Sequence, residues 1–149
     1  ETRGEEAIDM LQAMNTGHDG SLTTIHANNP RDAMLRIETM IQMAGMKLTE
    51  RAMRQQIASA INIVVQASRL SDGSRRVTFV SEVIGLNEHE VIVNDIFRYE
   101  RSGVDEKGRV IGKHLAAGTR PQLLERLRIA GCKYEEEWFV RPEEYRNGK

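Results

Sequence analysis

A histidine near the start of the chain is the first residue whose type and position could do chemistry. Residues 20–26 are rich in β-branched residues, which predicts a buried strand. His26, Ala27 and Asn28 lie at the carboxyl end of this predicted strand. They directly precede residues 29–32, Asn-Pro-Arg-Asp, which carry the signals of a helix start. Ligands collect beyond the carboxyl ends of strands in open α/β sheets, and helix N-termini favour anions. An imidazole at this position could hydrogen-bond a phosphate oxygen and report whether a terminal phosphate is present.

Two other interpretations of His26 compete with phosphate binding. The ring could cap the strand or contact its own loop, and spacing alone favours this simpler role. A zinc site shared by His18 and His26 fits poorly, because no further ligands lie nearby in sequence and Cys132 is remote. We therefore reject a metal-binding pair of this kind.

Acidic residues surround Arg3 at the beginning of the chain, namely Glu1, Glu5 and Glu6. As a charged helix start, they would complement the positive end of the helix macrodipole. Alternatively, Glu1 ends a strand and is aimed at the same sheet edge as His26. Composition cannot choose between these two interpretations.

The sequence context of the remaining reactive side chains does not indicate a catalytic role. Seven methionines are best interpreted as core filler or subunit contact, because the thioether is flexible and apolar. Ser21 lacks a nucleophile-elbow context and Cys132 has no neighbouring base. The sequence therefore supports no hydrolase triad.

Length and composition describe a globular chain. Its 149 residues suffice for one ordinary domain, with 40% apolar and 29% charged residues. Because 21 basic residues stand against 22 acidic ones, the balance argues against nucleic acid as a primary partner. A single cysteine fits a reducing compartment, and no apolar run is long enough for a transmembrane segment or a secretory signal. A cytoplasmic location is the default expectation.

Up to residue 60 the pattern of apolar residues predicts a helix, the strand over 20–26 and two further helices, and after residue 60 it predicts mainly strands. Residues 5–16 have apolar positions at helical spacing, and further helices should start at Asn29 and Thr49. The predicted inner face of the first helix is formed by Ile8, Leu11 and Met14 with Ala7 and Met10. Those of the next two helices are formed by Met34, Ile37, Ile41 and Ala44, and by Met53, Ile57 and Ala60. Strands are predicted over 61–67, 77–84, 91–99 and 109–114, and a terminal helix over 121–130.

The chain begins without an initiator methionine, and we expect it to continue a longer polypeptide. Its first residues, Glu-Thr-Arg-Gly-Glu-Glu-Ala, resemble the G-E-x-R-x-x-E region after the Walker B strand of secretion ATPases. Residues 16–28 resemble the histidine box of the same enzymes. Later segments, including 31–40, 56–60, 68–77, 95–97 and 120–127, are similar to the tight-adherence (Flp) pilus assembly ATPases of the type II/IV secretion superfamily.

The resemblance implies an α/β fold, the C-terminal part of a RecA-like P-loop NTPase core. That core would have a mixed sheet with helices and be followed by a β-rich extension and a terminal helix. Residues 1–70 would be the C-terminal half of the core, 71–140 the extension and 141–149 a polar tail. The whole protein would be a homohexameric motor, cytoplasmic and peripheral at the inner membrane, docked on a platform protein. It would use ATP and Mg²⁺ to drive pilus assembly or secretion.

The resemblance also assigns site residues by position. Glu1 matches the Walker B glutamate near Mg²⁺ and the attacking water, and Glu6 matches the second acid of that motif. Arg3 matches the arginine of the motif, which the resemblance places among the nucleotide-binding residues, with a structural role or a position at the subunit boundary. His18 and His26 match the two box histidines, and His26 is the better candidate for sensing the γ-phosphate. Thr24 and Asn28 flank it and are expected to bind nucleotide.

One departure from the family pattern limits what these residues can do alone. No G-x-x-x-x-G-K-[ST] loop occurs in the 149 residues, and phosphoryl transfer depends on such positioning groups. We therefore expect the full-length protein to hydrolyse ATP and this segment alone to be inactive. The alternatives are a non-catalytic assembly or regulatory module and, less well supported, an unrelated metal-dependent hydrolase using His18 and His26.

Overall fold

A computed structural model describes residues 1–17 and 20–145 of the chain. The helices are α1 (Glu6–Asn15), α2 (Pro30–Met43), α3 (Glu50–Ala60) and α4 (Leu124–Ile129). The strands are β1 (Ile63–Arg69), β2 (Arg75–Leu86), β3 (Val91–Val104) and β4 (Val110–Ala116). This element order confirms the predicted helices, the four later strands and the terminal helix, but it lacks the strand predicted over residues 20–26. None of the described helices is long and apolar enough to cross a membrane.

The predicted helix starts are confirmed by their caps. The Asn29 side chain accepts the backbone N–H of Asp32 at 2.9 Å, and Pro30 occupies the first helical position of α2. Thr49 accepts the backbone N–H of Ala52 at 3.2 Å and so caps α3. These side chains satisfy N–H groups that have no partner within the helix, which fixes where each helix begins.

The chain divides into two compact units, residues 1–62 with 83–93 and residues 63–82 with those from 94 onward. The first unit buries most of the predicted inner faces of its helices, namely Ala7, Leu11, Met34, Ile37, Ile41, Met53, Ile57 and Ala60. The other predicted members, Ile8, Met10, Met14 and Ala44, are half-buried. In the second unit Leu124 of α4 is fully buried. The domain boundaries predicted at residues 70 and 140 remain predictions, and residues 146–149 of the predicted tail lie outside the described residues.

The described strands form one four-stranded sheet in the order β1-β2-β3-β4. The pairs β1–β2 and β3–β4 are antiparallel. Hairpin connections account for this arrangement, because a short turn can join only antiparallel neighbours. The mixed sheet predicted for a RecA-like core remains a prediction. The turn at Gly73, with φ of 82°, is the glycine turn that the sequence predicts.

The predicted buried strand over residues 20–26 is wrong. The segment belongs to none of the four strands, and Leu22 is 94% exposed. Composition favours a strand, but a strand forms only where a neighbour provides a ladder of backbone hydrogen bonds. Here the Thr2 N–H donates to the Thr24 carbonyl at 2.9 Å, and the segment runs in irregular conformation beside the first residues of the chain.

Candidate functional site

The structure brings together three of the predicted site residues, Glu1, Arg3 and His26. Glu1 Oε1 lies 3.1 Å from His26 Nε2, and Glu1 Oε2 accepts a hydrogen bond from Arg3 Nη2 at 2.7 Å. Glu1 and His26, which the sequence analysis could only suggest to lie at the same sheet edge, are therefore in contact. They are 25 positions apart along the chain.

Electrostatics keep the Glu1 carboxylate charged. The hydrogen bond from Arg3 lowers the pKa of Glu1, with the nearby His26 ring acting in the same direction. The same contact raises the pKa of Arg3. The His26 side chain is 80% exposed and that of Arg3 76%, so both are open to a ligand. An anionic oxygen beside two open nitrogen donors can act on a phosphate and its associated cation.

Thr2 holds the first residues of the chain against the histidine segment. Its backbone N–H donates to the Thr24 carbonyl, and its hydroxyl lies 2.5 Å from the Thr23 hydroxyl. Thr2 is 7% exposed, although its neighbours Glu1 and Arg3 face solvent. Sequence reasoning missed Thr2, because a threonine beside a charged motif carries no signal of its burial, and it missed the exposed Thr23, because nothing in the sequence indicates its contact with Thr2.

Three of the other predicted site residues, Glu6, Thr24 and Asn28, lie beside this group. Glu6 is the first residue of α1, and its Oε2 accepts the Arg3 backbone N–H at 3.3 Å. Thr24 contributes its carbonyl to the contact with Thr2 rather than a described side-chain hydrogen bond. Asn28 lies with His26 in an open groove beside α2. His18 lies outside the described residues.

The N-terminus of α2 is already supplied with its own polar groups. Asn29 accepts the Asp32 backbone N–H, and the Asn29 amide donates to the Asp32 carboxylate at 2.9 Å. Pro30 has no N–H to offer, and the Asp32 carboxylate places negative charge in the first turn. The phosphate interpretation therefore depends on Glu1, Arg3 and His26 more than on the free N–H groups of this helix.

These residues fit a nucleotide with its magnesium ion. Imidazole and guanidinium groups donate hydrogen bonds to phosphate oxygens, and a carboxylate is a hard oxygen ligand suited to Mg²⁺. Within residues 1–17 and 20–145, no cluster of three or more metal-binding side chains exists. Mg²⁺ does not require one, because it keeps several waters and binds through one or two carboxylates plus substrate phosphates.

Comparison with known proteins gives a family match over most of the chain. Residues 1–113 match the sequence profile of the family described as "Type II/IV secretion system protein". The matched range includes Glu1, Arg3, His26 and the strands β1 to β3.

Individual relatives match the chain over a shorter range. The conjugal transfer protein TrbB of Rhizobium radiobacter is 37% identical over 90 residues, which cover 60% of this chain and 26% of TrbB. A Mycobacterium tuberculosis protein named for conjugal transfer is 37% identical over 81 residues, 54% of this chain and 22% of that protein. The type IV secretion system protein PtlH of Bordetella pertussis is 37% identical over 79 residues, 51% of this chain and 23% of PtlH. The match spans about a quarter of the length of each relative.

Proposed function

The chain belongs to the type II/IV secretion system protein family, and from this premise we propose that it is the C-terminal part of a motor ATPase. The motor would couple ATP hydrolysis to pilus assembly or protein secretion. Within the superfamily we favour the tight-adherence (Flp) pilus branch, on the segments that resemble it. The relatives named for conjugal transfer and type IV secretion support a transport machine in general.

The observation that carries this proposal is the contact between Glu1 and His26 at 3.1 Å. In the proposed site, Glu1 stays anionic because Arg3 holds its pKa low, and it is the residue that would hold Mg²⁺. The ion would supply Lewis-acid polarisation of the phosphate. His26 is exposed on the same side and would donate to the terminal phosphate, while Arg3 balances the charge. His18, Thr24 and Asn28 remain candidates for nucleotide contacts.

The assembly and location follow from the same proposal. A RecA-like core is expected to complete its phosphate site with residues outside these 149, so the 149 residues alone should not turn over ATP. We propose a homohexamer that is cytoplasmic and peripheral at the inner membrane, where a platform protein would receive the motion. If the full-length protein shows no ATP turnover above blank, the alternative applies, namely that the protein is a non-catalytic assembly or regulatory module.

The test is His26→Ala in the full-length protein. We expect turnover of ATP to fall by about 100-fold or more, since removing one preorganised donor to developing charge has an effect of about this size. The Kd for ATP should change far less, because the contact strengthens as charge develops on the γ-phosphate. Turnover is measured by phosphate release and Kd by isothermal titration calorimetry.

His89→Ala is the matched control, since His89 lies in the exposed turn between β2 and β3 and receives no role here. This variant should keep turnover and affinity at the level of the unmodified protein. An equal loss of turnover and affinity in His26→Ala would mark His26 as an ordinary binding group. Unchanged turnover in His26→Ala would refute its part in catalysis.

A further inference from the structure

Thr2 is a buried polar residue between two exposed site residues, and neither the motif nor the family match gives it a task. Resting on the proposed function, we propose that Thr2 is a positioning residue for ATP hydrolysis. Its hydroxyl, together with that of Thr23, holds Glu1 and His26 at their working separation. We call this arrangement the threonine clamp, formed by Thr2, Thr23 and the hydrogen bonds between them and their neighbours.

The Thr2 hydroxyl has two neighbours within hydrogen-bond distance. It can donate to Met10 Sδ at 3.4 Å. It also lies 2.5 Å from the Thr23 hydroxyl, and either of these two oxygens can be the donor. One buried oxygen therefore links the first residues of the chain, the histidine segment and α1. The hydrogen bond from the Thr2 backbone N–H to the Thr24 carbonyl is a second connection between the same segments.

The clamp is needed because the contact it supports is too weak to maintain itself. Glu1 is 31% exposed and His26 is 80% exposed in their side chains. Ion pairs between exposed groups contribute little, and water competes for both partners. The segment 21–27 has no strand ladder to fix its backbone. The buried Thr2 oxygen, at 7% residue exposure, is the better anchor for the distance between Glu1 and His26.

A positioning role has consequences for turnover that differ from those for binding. Displacing a reacting group by about 1 Å can lower a rate by about 100-fold, while ground-state binding depends on many other contacts. Loosening the clamp should therefore lower kcat and leave KM for ATP nearly unchanged. A residue that only stabilises the fold would change neither value in the molecules that remain folded.

The experiment compares Thr2→Val, Thr2→Ser and Thr23→Val in the full-length protein. Valine keeps the shape of threonine and the backbone N–H but removes the hydroxyl, whereas serine keeps the hydroxyl. We expect Thr2→Val and Thr23→Val each to lower kcat by about 10- to 100-fold with KM within about threefold. Thr2→Ser should restore kcat to within about threefold, and the double valine variant should be no slower than the singles, because both remove one bond.

Hydrogen exchange provides a readout that does not depend on activity. In Thr2→Val the amides of residues 1–6 and 21–27 should exchange faster, with the rest of the protein unchanged. Thr78→Val is the matched control, because Thr78 makes a comparable 2.8 Å hydroxyl contact with Ser68 in the other compact unit. This control should leave kcat unchanged. Faster exchange throughout the protein in Thr2→Val would refute a local clamp.

His26→Ala separates failure of the clamp from failure of the proposed function. If His26→Ala lowers turnover but Thr2→Val does not, the clamp is wrong and the proposed function stands. If Thr2→Ser is as slow as Thr2→Val, the hydroxyl is not the anchor and the clamp is again wrong. If neither His26→Ala nor Thr2→Val changes turnover, the proposed site itself is refuted.

Discussion

Arg54 should be one of the most sensitive single positions for stability in the first compact unit. On α3, Arg54 Nε donates to Glu38 Oε2 of α2 at 3.1 Å, and its Nη1 donates to the Glu88 carbonyl at 3.3 Å. The two side chains of the ion pair are 13% and 7% exposed. Glu38 Oε1 is also buried and has no hydrogen-bond partner among the described residues. Arg54→Met would leave the Glu38 carboxylate without its countercharge.

The size of the effect follows from these contacts. Removing one partner of a buried ion pair costs about 3–5 kcal/mol. The lost hydrogen bond to the Glu88 carbonyl adds about 1 kcal/mol. The third contact, to Glu50 at 3.2 Å, adds little because the Glu50 side chain is 71% exposed. We therefore expect a loss of about 4–6 kcal/mol in the free energy of unfolding, or about 10–20 °C in Tm for a chain of this size.

Urea unfolding followed by circular dichroism measures this loss by linear extrapolation. Arg54→Met combined with Glu38→Leu should recover most of the stability, because a buried ion pair can be replaced by apolar groups at little cost. Arg31→Met is the control, since Arg31 lies 3.5 Å from Glu90 with side-chain exposures of 64% and 34%. It should change stability by less than about 0.5 kcal/mol. A loss below about 1 kcal/mol in Arg54→Met, or a double variant no more stable than the single, would refute the reasoning.

Two further predictions concern the second compact unit. The Asp72 carboxylate accepts hydrogen bonds from Ser74 and from a backbone N–H of β4, which lower its pKa from 3.8 to about 2. Because the pKa of Asp72 is lower in the folded than in the unfolded protein, this stabilisation is present above pH 3.8 and is lost as pH falls toward 2. Asp72→Asn should therefore make Tm depend less on pH in the acid range. An unchanged acid dependence of Tm would contradict this. In Gly112→Ala the added Cβ would lie 2.5 Å from the Glu100 carbonyl oxygen, and we expect about 1–3 kcal/mol of destabilisation. Gly103→Ala meets no atom within 4 Å and should be neutral in the same urea titration, so equal effects of the two substitutions would contradict the steric argument.

Local features of the fold were predictable because they depend on neighbours in the sequence. Asn29 and Thr49 fix the starts of α2 and α3 by reaching N–H groups three residues away. The apolar periodicity around Ile37 and Ile57 identified the buried helix faces, since a spacing near 3.6 residues places side chains on the same face of a helix. The hairpin at Gly73 was predictable for the same reason, because its conformation is set within a few residues.

Long-range pairs of polar groups were not predictable from one sequence. Glu38 and Arg54 look like ordinary solvated charges on two helices, and only the packing of α2 against α3 buries them. Glu82 similarly looks like an exposed strand residue, yet its carboxylate accepts the backbone N–H groups of Gln122 and Leu123 at 2.8 and 2.6 Å just before α4. Polarity alone predicts exposure, whereas burial here depends on a partner distant in sequence.

The wrong prediction at residues 20–26 and the candidate site have one physical origin. In a regular buried strand, alternate side chains pack against neighbours and the backbone is saturated on both sides. A histidine at the end of such a strand would have part of its ring covered. The irregular segment instead leaves the His26 side chain 80% exposed, while Thr23 and Thr24 attach the segment to Thr2. The irregular conformation therefore leaves an accessible imidazole ring on a segment that contacts Thr2, beside the carboxylate of Glu1.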